Sequence, residues 1–142
     1  MVSVRTQRNK HRRGAVAVEA ALVFPLLILL TFGAIKYGWL FLKAQQITNA
    51  ARYGARLAIL PDATTDNVKT AIINMMAAAN ISISADNITI TPGDISALSV
   101  GDSIEVRVIV PAESVDIMDV PLFPSLGNLG ASVTMAKEGF FI

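Results

Sequence analysis

A long apolar run near the start of the chain limits the possible folds more than any other feature. Residues 15–35 read AVAVEAALVFPLLILLTFGAI and contain one charged side chain, Glu19. At about 1.5 Å per residue, a helix of this length spans about 30 Å, the thickness of the hydrocarbon core of a bilayer. The run therefore predicts a transmembrane helix. The alternative is an apolar helix buried in the core of a soluble protein.

The basic residues on either side of the run indicate its direction. The chain has 12 Lys and Arg residues and a net charge of only +1, yet five of these cations lie in residues 1–14, without any acid. Lys and Arg clusters stay on the cytoplasmic side of a membrane, so the N-terminus is expected inside and the rest of the chain outside. The four cations that follow the run oppose this bias: Lys36, Lys43, Arg52 and Arg56.

The helical pattern continues past the apolar run. Residues 36–60 repeat small or apolar side chains at intervals of four and three, the period of one helix face, and these are Leu40, Ala44, Ile47, Ala51, Gly54 and Ala58. A cleaved secretory signal peptide has a shorter apolar region, of about 7 to 15 residues, and predicts no such continuation. We therefore expect one helix of about 45 residues ending at Pro61. Tyr37 and Trp39 are expected at the outer membrane border.

Residues after Pro61 predict a small mixed domain. Thr65 and Asp66 offer N-cap oxygens to a short helix that runs to about Asn80. Met75 and Met76 lie on the apolar side of that helix and are expected to fill the core. Segments with an apolar period of two follow and predict an antiparallel sheet, at residues 88–91, 104–110 and 132–136.

The predicted fold class is α+β, with a long N-terminal transmembrane helix packed distally on a small antiparallel sheet. Residues 111–130, which begin at Pro111 and include prolines at 121 and 124, are expected to form a long surface loop. The predicted segments are a basic cytoplasmic leader (1–14), a transmembrane helix (15–36), an extracytoplasmic helix extension (37–60) and a small α+β domain (61–142).

The border between the basic tail and the apolar run carries the most informative motif. Arg12 and Arg13 precede Gly14, an acid follows at the fifth position after it, and Pro25 interrupts the apolar run in ALVFPLLILL. The stretches GAIKYGWLF and NAARYGARLA come later. In these features residues 12–58 resemble type IV prepilin-like proteins, specifically the TadE-like family of tight-adherence (Flp) pilus pseudopilins. The resemblance implies a pilin-like fold and a minor pseudopilin that assists pilus assembly.

The resemblance also implies cleavage by a prepilin peptidase between Gly14 and Ala15. Glycine weakens helix continuation, which is compatible with an accessible bond at this border. The carboxylate of Glu19, about 6 Å into the helix, would pair with the α-amino group of Ala15 on a neighbouring subunit. The alternative is a carboxylate that reaches back to the headgroups. The implied partners are the bacterial inner membrane, the peptidase, other pilin or pseudopilin subunits and the assembly platform.

Two further features have open interpretations. Pro25 removes a backbone donor and either kinks the helix for assembly or is simply tolerated in the membrane. Arg52 and Arg56 are four residues apart on one face, where they either contact a partner or headgroups or are simply solvated.

The composition argues against catalysis and cofactors. The chain has no cysteine, and its only histidine, His11, lies in the leader, so the predicted mature chain lacks the usual metal ligands and nucleophile-base pairs. Neither a metal, a cofactor nor an enzymatic activity is expected. The basic tail RNKHRR also resembles a nucleic-acid patch, but membrane topology is the simpler explanation. The alternatives to a pseudopilin are an uncleaved single-pass envelope scaffold or secretion-complex protein, and an anchored hydrolase that uses carboxylates.

Overall fold

Two helices precede three strands in an α+β order over residues 10–117 and 127–139, the part that the computed structural model describes, with side chains from residue 14 onward. The helices are α1 (Lys10–Ala58) and α2 (Thr65–Ala78), and the strands are β1 (Ile88–Thr91), β2 (Ser103–Pro111) and β3 (Asn128–Ala136). Short 3-10 turns lie at Ala85–Asn87 and Ala112–Ser114. The predicted fold class is confirmed.

The chain divides into two compact units between Tyr37 and Gly38, and α1 contributes to both. The first unit contains the apolar part of α1, whose large side chains are exposed. Within Gly14–Ala58 lies a stretch of mean hydropathy 2.4, none of it buried. Among the described residues, α1 is the one helix that is long and apolar enough to cross a membrane by length and composition.

The second unit has a continuous hydrophobic core to which α1, α2 and the sheet all contribute. Residues of the later part of α1 that are fully buried include Ile47, Ala51 and Ala55. Gly54 brings α1 close to its neighbours, since a Cβ atom there would lie 2.4 Å from Ile72 Cδ1 and 3.4 Å from Val106 Cγ1. The helical seam predicted from the sequence therefore does pack on α2 and the sheet.

The sheet is antiparallel, with the strand order β1-β2-β3. Strand β2 lies in the centre, and the register pairs Ile90 with Val106 on one side and Val106 with Val133 on the other. Alternate residues of β2 are completely buried: Ile104, Val106, Val108 and Val110. The opposite face of the sheet is exposed. This is the alternation that a sheet with one face on a core requires.

Helix α2 is capped by residues other than those expected. The N-cap is Thr64, whose Oγ1 accepts a hydrogen bond from the backbone N–H of Asn67 at 3.3 Å. The hydroxyl of Thr65 instead donates to the carbonyl of Gly93 at 2.6 Å. At the other end Asn80 adopts a left-handed conformation with φ of 53°, which suits an asparagine after a helix. The N-cap prediction was wrong by one residue because extended Thr64 supplies the oxygen.

Several predicted boundaries also differ from the structure. Helix α1 begins at Lys10 and ends at Ala58, and β3 begins at Asn128, so the last residues of the expected loop are strand. Ala112 and Val115 are buried, and the start of that region is not a surface loop. Residues 118–126 lie outside the described residues. Met75 is exposed while Met76 is buried, since only Val68, Ile72 and Met76 share the four-residue spacing of the buried face of α2.

Candidate functional site

The residues of the border motif lie close together on the first unit. Gly14, Ala15 and Glu19 are all exposed on α1. Ala15 and Glu19 are four residues apart and therefore share a helix face. Nothing lies within 4 Å of a Cβ atom built on Gly14. The backbone after Gly14 is thus sterically accessible from the side, although it is helical in this structure.

Glu19 interrupts an apolar strip of α1. The strip is lined by Val16, Glu19, Ala20, Val23, Phe24 and Leu27. These residues are spaced by three or four and so form one face, with Glu19 as its only charged member. A carboxylate within an apolar surface favours contact with a cation from another molecule, since transferring it alone into lipid is costly.

The other residues singled out from the sequence are spread along α1. Arg12 and Arg13 lie in its first turns, and their side chains lie outside the described residues. Pro25 is inside the helix, which continues past it. Arg52 and Arg56 lie in the second unit and are both exposed. The residues around Gly14 therefore belong to the first unit and the arginine pair belongs to the second.

A cluster around Lys43 was missed by sequence reasoning. Its Nζ atom donates to the carbonyl oxygen of Ala79, just after α2, at 2.7 Å. The same Nζ lies 4.8 Å from the centre of the Trp39 ring, and the Trp39 Nε1 donates to the carbonyl oxygen of Val115 at 2.8 Å. Lys43, which the sequence analysis counted among the cations that follow the apolar run, is buried within the second unit.

The Lys43 cluster has a clear physical role. The C-terminal carbonyls of a helix lack intrahelical partners and carry partial negative charge, which a lysine stabilises. An aromatic ring beneath the ammonium adds a cation–π contact. The sequence signal was the four-residue spacing of Trp39 and Lys43 on one helix face. The carbonyl partner, 36 residues further along, left no signal.

Lys137 is used in a similar way at the far end of the second unit. It is buried and its Nζ donates to the carbonyl oxygen of Ile95. The next residue, Glu138, donates its backbone N–H to the carbonyl of Ile59 at 3.1 Å. The chain after β3 is thereby attached to the end of α1.

The exposed face of the sheet carries a small polar network. Glu105 accepts a hydrogen bond from Arg107 at 2.9 Å and another from the hydroxyl of Ser132 on β3. The hydrogen bond from Ser132 and, to a smaller extent, that from Arg107 lower the pKa of Glu105. This network satisfies its own charges and does not resemble a catalytic arrangement.

Comparison with known protein families finds a match for most of helix α1. Residues 14–56 match the family model described as TadE-like protein, which confirms the resemblance noted in the sequence. The match covers less than a third of the chain and starts at Gly14. No curated protein and no solved structure matches the chain.

The matched family is structural and pilus-associated rather than enzymatic. Its match coincides with the apolar helix, which fits a single-pass membrane protein of a pilus system. Residues 14–56 are therefore similar to a TadE-like domain, and the similarity suggests an association with the Tad pilus.

Proposed function

We propose that this chain is a minor pseudopilin that supports assembly of a tight-adherence pilus. In this proposal α1 spans the bacterial inner membrane, with the basic leader in the cytoplasm and the second unit outside. A prepilin peptidase cleaves between Gly14 and Ala15, and the mature chain joins other pilin or pseudopilin subunits at the assembly platform. The observation that carries the proposal is the family match, which begins at the glycine of the processing motif.

The surroundings of the proposed cleavage site support this role. Gly14 and Ala15 are exposed, and nothing within 4 Å occupies the space beside Gly14. Because α1 runs through both residues, the peptidase has to unwind about one turn to reach the bond. Glycine lowers the cost of that unwinding, since it destabilises a helix interior by roughly 0.5–1 kcal/mol relative to alanine.

Glu19 is the proposed assembly residue. After cleavage, Ala15 carries a cationic α-amino group at neutral pH. A neighbouring copy displaced outward along the helix axis by four residues, about 6 Å, brings its Ala15 level with Glu19. The ion pair then forms in a low-dielectric environment, where it is strong, and it fixes the axial register of the two subunits.

Mass analysis of the membrane-extracted N-terminus tests the processing step. The wild-type chain is expected to begin at Ala15, and Gly14→Val is expected to retain the leader. Gly38→Val is the matched control, since Gly38 is also an exposed glycine of α1 with nothing within 4 Å. A wild-type chain that keeps its leader would instead favour the uncleaved envelope scaffold.

Pilus formation tests the role of Glu19. Glu19→Ala is expected to leave processing intact but to reduce piliation strongly. Glu113→Ala removes an exposed carboxylate from the second unit and serves as the control. Normal piliation with Glu19→Ala would exclude the register role. Because the chain has no cysteine, single cysteines introduced at Thr6 and Asp86 of the Gly14→Val chain, which keeps the leader, allow the orientation to be measured by impermeant thiol labelling.

A further inference from the structure

The second half of α1 has an exposed face that differs from the rest of its unit. Phe41 is 67% exposed, and the side chains further along include two arginines and a tyrosine but no lysine or acid. Arginine and aromatic residues are enriched where proteins bind one another, and lysine and acids are depleted there. We call this surface the arginine face, defined by Phe41, Gln45, Arg52, Tyr53, Arg56 and Leu60.

The two arginines of this face have no hydrogen-bond or ion-pair partner among the described residues, whereas most of the other cations of the second unit do. Lys43 and Lys137 bind backbone carbonyls, and Arg107 is paired with Glu105. Lys69, half exposed on α2, is the remaining cation of this unit. The exposed acids of the unit are more numerous, none of them is a member of the arginine face, and they include Asp62, Asp66, Asp86, Glu113 and Glu138. The arginine face is thus a cationic area on an otherwise acidic unit.

A shallow hollow of about 370 Å³ lies at the turn between α1 and α2. Most of its lining is apolar, and the polar members are Asp62 and Asn67; the full lining is Leu57, Leu60, Pro61, Asp62, Ala63, Asn67 and Val68. An arginine side chain matches this composition, because its methylene stem packs on apolar surface while the guanidinium binds a carboxylate in a two-pronged geometry.

We propose that Arg56 of one copy of this chain docks into this hollow on a neighbouring copy and binds Asp62 there. This contact rests on the proposed function, since it requires copies side by side in one membrane. Asp62 is six residues after Arg56, so the contact needs an outward displacement of at most about 9 Å.

Lipid headgroups do not suit the arginine face as an alternative partner. Arg52 is 14 residues beyond Gly38, the first residue of the second unit, which corresponds to about 21 Å along the helix. The headgroup layer on each side of a bilayer is only about 5–8 Å thick. A neighbouring protein surface is therefore the partner that the charge pattern favours.

Thiol crosslinking in membranes tests the contact on the full-length chain. Because the chain has no cysteine, a Tyr53→Cys chain and an Ala63→Cys chain can be co-expressed and treated with a short bis-maleimide. These two positions lie beside Arg56 and Asp62 but leave both charges in place. A mixed crosslinked dimer is expected, and either cysteine chain alone is expected to give much less.

Charge reversal then identifies the ion pair. Adding Arg56→Glu to the Tyr53→Cys chain is expected to lower the yield of mixed dimer about tenfold, and adding Asp62→Arg to the Ala63→Cys chain is expected to restore it. Lys69→Glu makes the same charge change on α2 and is the control. A yield that stays within about twofold with Arg56→Glu, or that Lys69→Glu lowers equally, would overturn the contact.

The same samples separate this contact from the proposed function. Loss of the crosslink in a chain that is processed at Gly14 and forms pili would reject the Arg56 contact alone. A crosslink that persists in a chain with an intact leader would keep the contact and reject the pseudopilin role.

Discussion

The two halves of α1 share one secondary structure but have opposite surroundings. Before Tyr37 the large apolar side chains are exposed, with Leu22 at 74% and Leu26 at 66%. After Gly38 the apolar side chains of one seam are buried, and Ile47 is completely inaccessible. Among the described residues the core begins at Leu40, in the second half, which packs with α2 and the sheet. The exposed apolar side chains of the first half therefore need lipid or other subunits to cover them.

The residue sizes in the two halves reflect these surroundings. The first half is rich in Leu, Ile and Phe, which present a large apolar area to lipid. The seam of the second half is largely Ala and Gly, which allow close approach of another backbone, as Gly54 does to Ile72. Large apolar residues on all sides of a helix thus indicate a lipid environment. Small residues along one side of a helix indicate packing against a neighbouring part of the folded protein.

The largest expected difference in stability comes from placing the same charge in the two environments, the core of the second unit and the apolar part of α1. Val106→Asp puts an unpaired carboxylate into the core of the second unit, a class of change that costs about 3–5 kcal/mol. Since small domains are stable by only about 5–15 kcal/mol, the second unit is expected to unfold or nearly so. Thermal melting and protease resistance of the detergent-extracted chain would measure this.

Leu22→Asp is expected to have the opposite consequence. Membrane insertion loses about 2.5–3.5 kcal/mol, so more of the chain is released by an alkaline wash, while the melting of the second unit stays unchanged. Ile109→Asp, on the exposed face of the same strand as Val106, is the control for the core substitution. Equal melting temperatures for Val106→Asp and Leu22→Asp would contradict the division into two environments.

The second prediction concerns the buried lysine that fastens α2 to α1. Lys43→Met keeps an apolar stem but removes the hydrogen bond to Ala79 and the contact with the Trp39 ring. The free energy of unfolding is expected to fall by about 1.5–3 kcal/mol, the range for hydrogen bonds to charged groups. Urea unfolding measures this, and Lys69→Met should change it by less than about 0.5 kcal/mol. A similar loss for both would show that no specific contact is involved.

Lys43 also illustrates why only part of this fold could be predicted. The helix, its buried seam and the strands follow from local periodicity, because each depends on side chains only a few residues apart. The carbonyl partners of Lys43 and Lys137 are 36 and 42 residues away, and no local pattern encodes them. The early start of β3 was missed because Asn128 and Gly130 are poor strand formers that the register with β2 brings into the sheet.

The candidate site was predictable in a different sense. Gly14 and Glu19 were found through their spacing, and the family match covers both. The proposed partner of Glu19 belongs to another subunit, so one folded chain does not contain it. The same holds for Arg56, whose exposure becomes informative only once the hollow beside Asp62 is known.

The third prediction compares two glycines of α1. Gly54→Ala is expected to destabilise the second unit by about 1–3 kcal/mol, since the new Cβ would lie 2.4 Å from Ile72 Cδ1. Gly38→Ala meets nothing within 4 Å and should stabilise the helix by about 0.5–1 kcal/mol. Urea unfolding gives both values. Partial recovery of Gly54→Ala by Ile72→Val would assign the loss to that contact, and equal effects at the two glycines would contradict it.

The smallest expected effect lies on the exposed face of the sheet, opposite the face that packs on the core. Hydrogen bonds from Ser132, and to a smaller extent from Arg107, lower the pKa of Glu105. The ionised carboxylate therefore stabilises the folded state at pH values above its unfolded pKa. This contribution is lost as the pH falls through the lower pKa of the folded state. Ser132→Ala is expected to raise the pKa of Glu105 toward its ordinary value, so that protonation begins at a higher pH. An NMR titration of the Glu105 carboxyl measures the shift, with Thr134→Ala on the same face as control. Solvent screens this exposed group, so the melting temperature should barely change. If the pKa of Glu105 stays the same in Ser132→Ala, the Ser132 hydroxyl is not the cause of the lowered pKa.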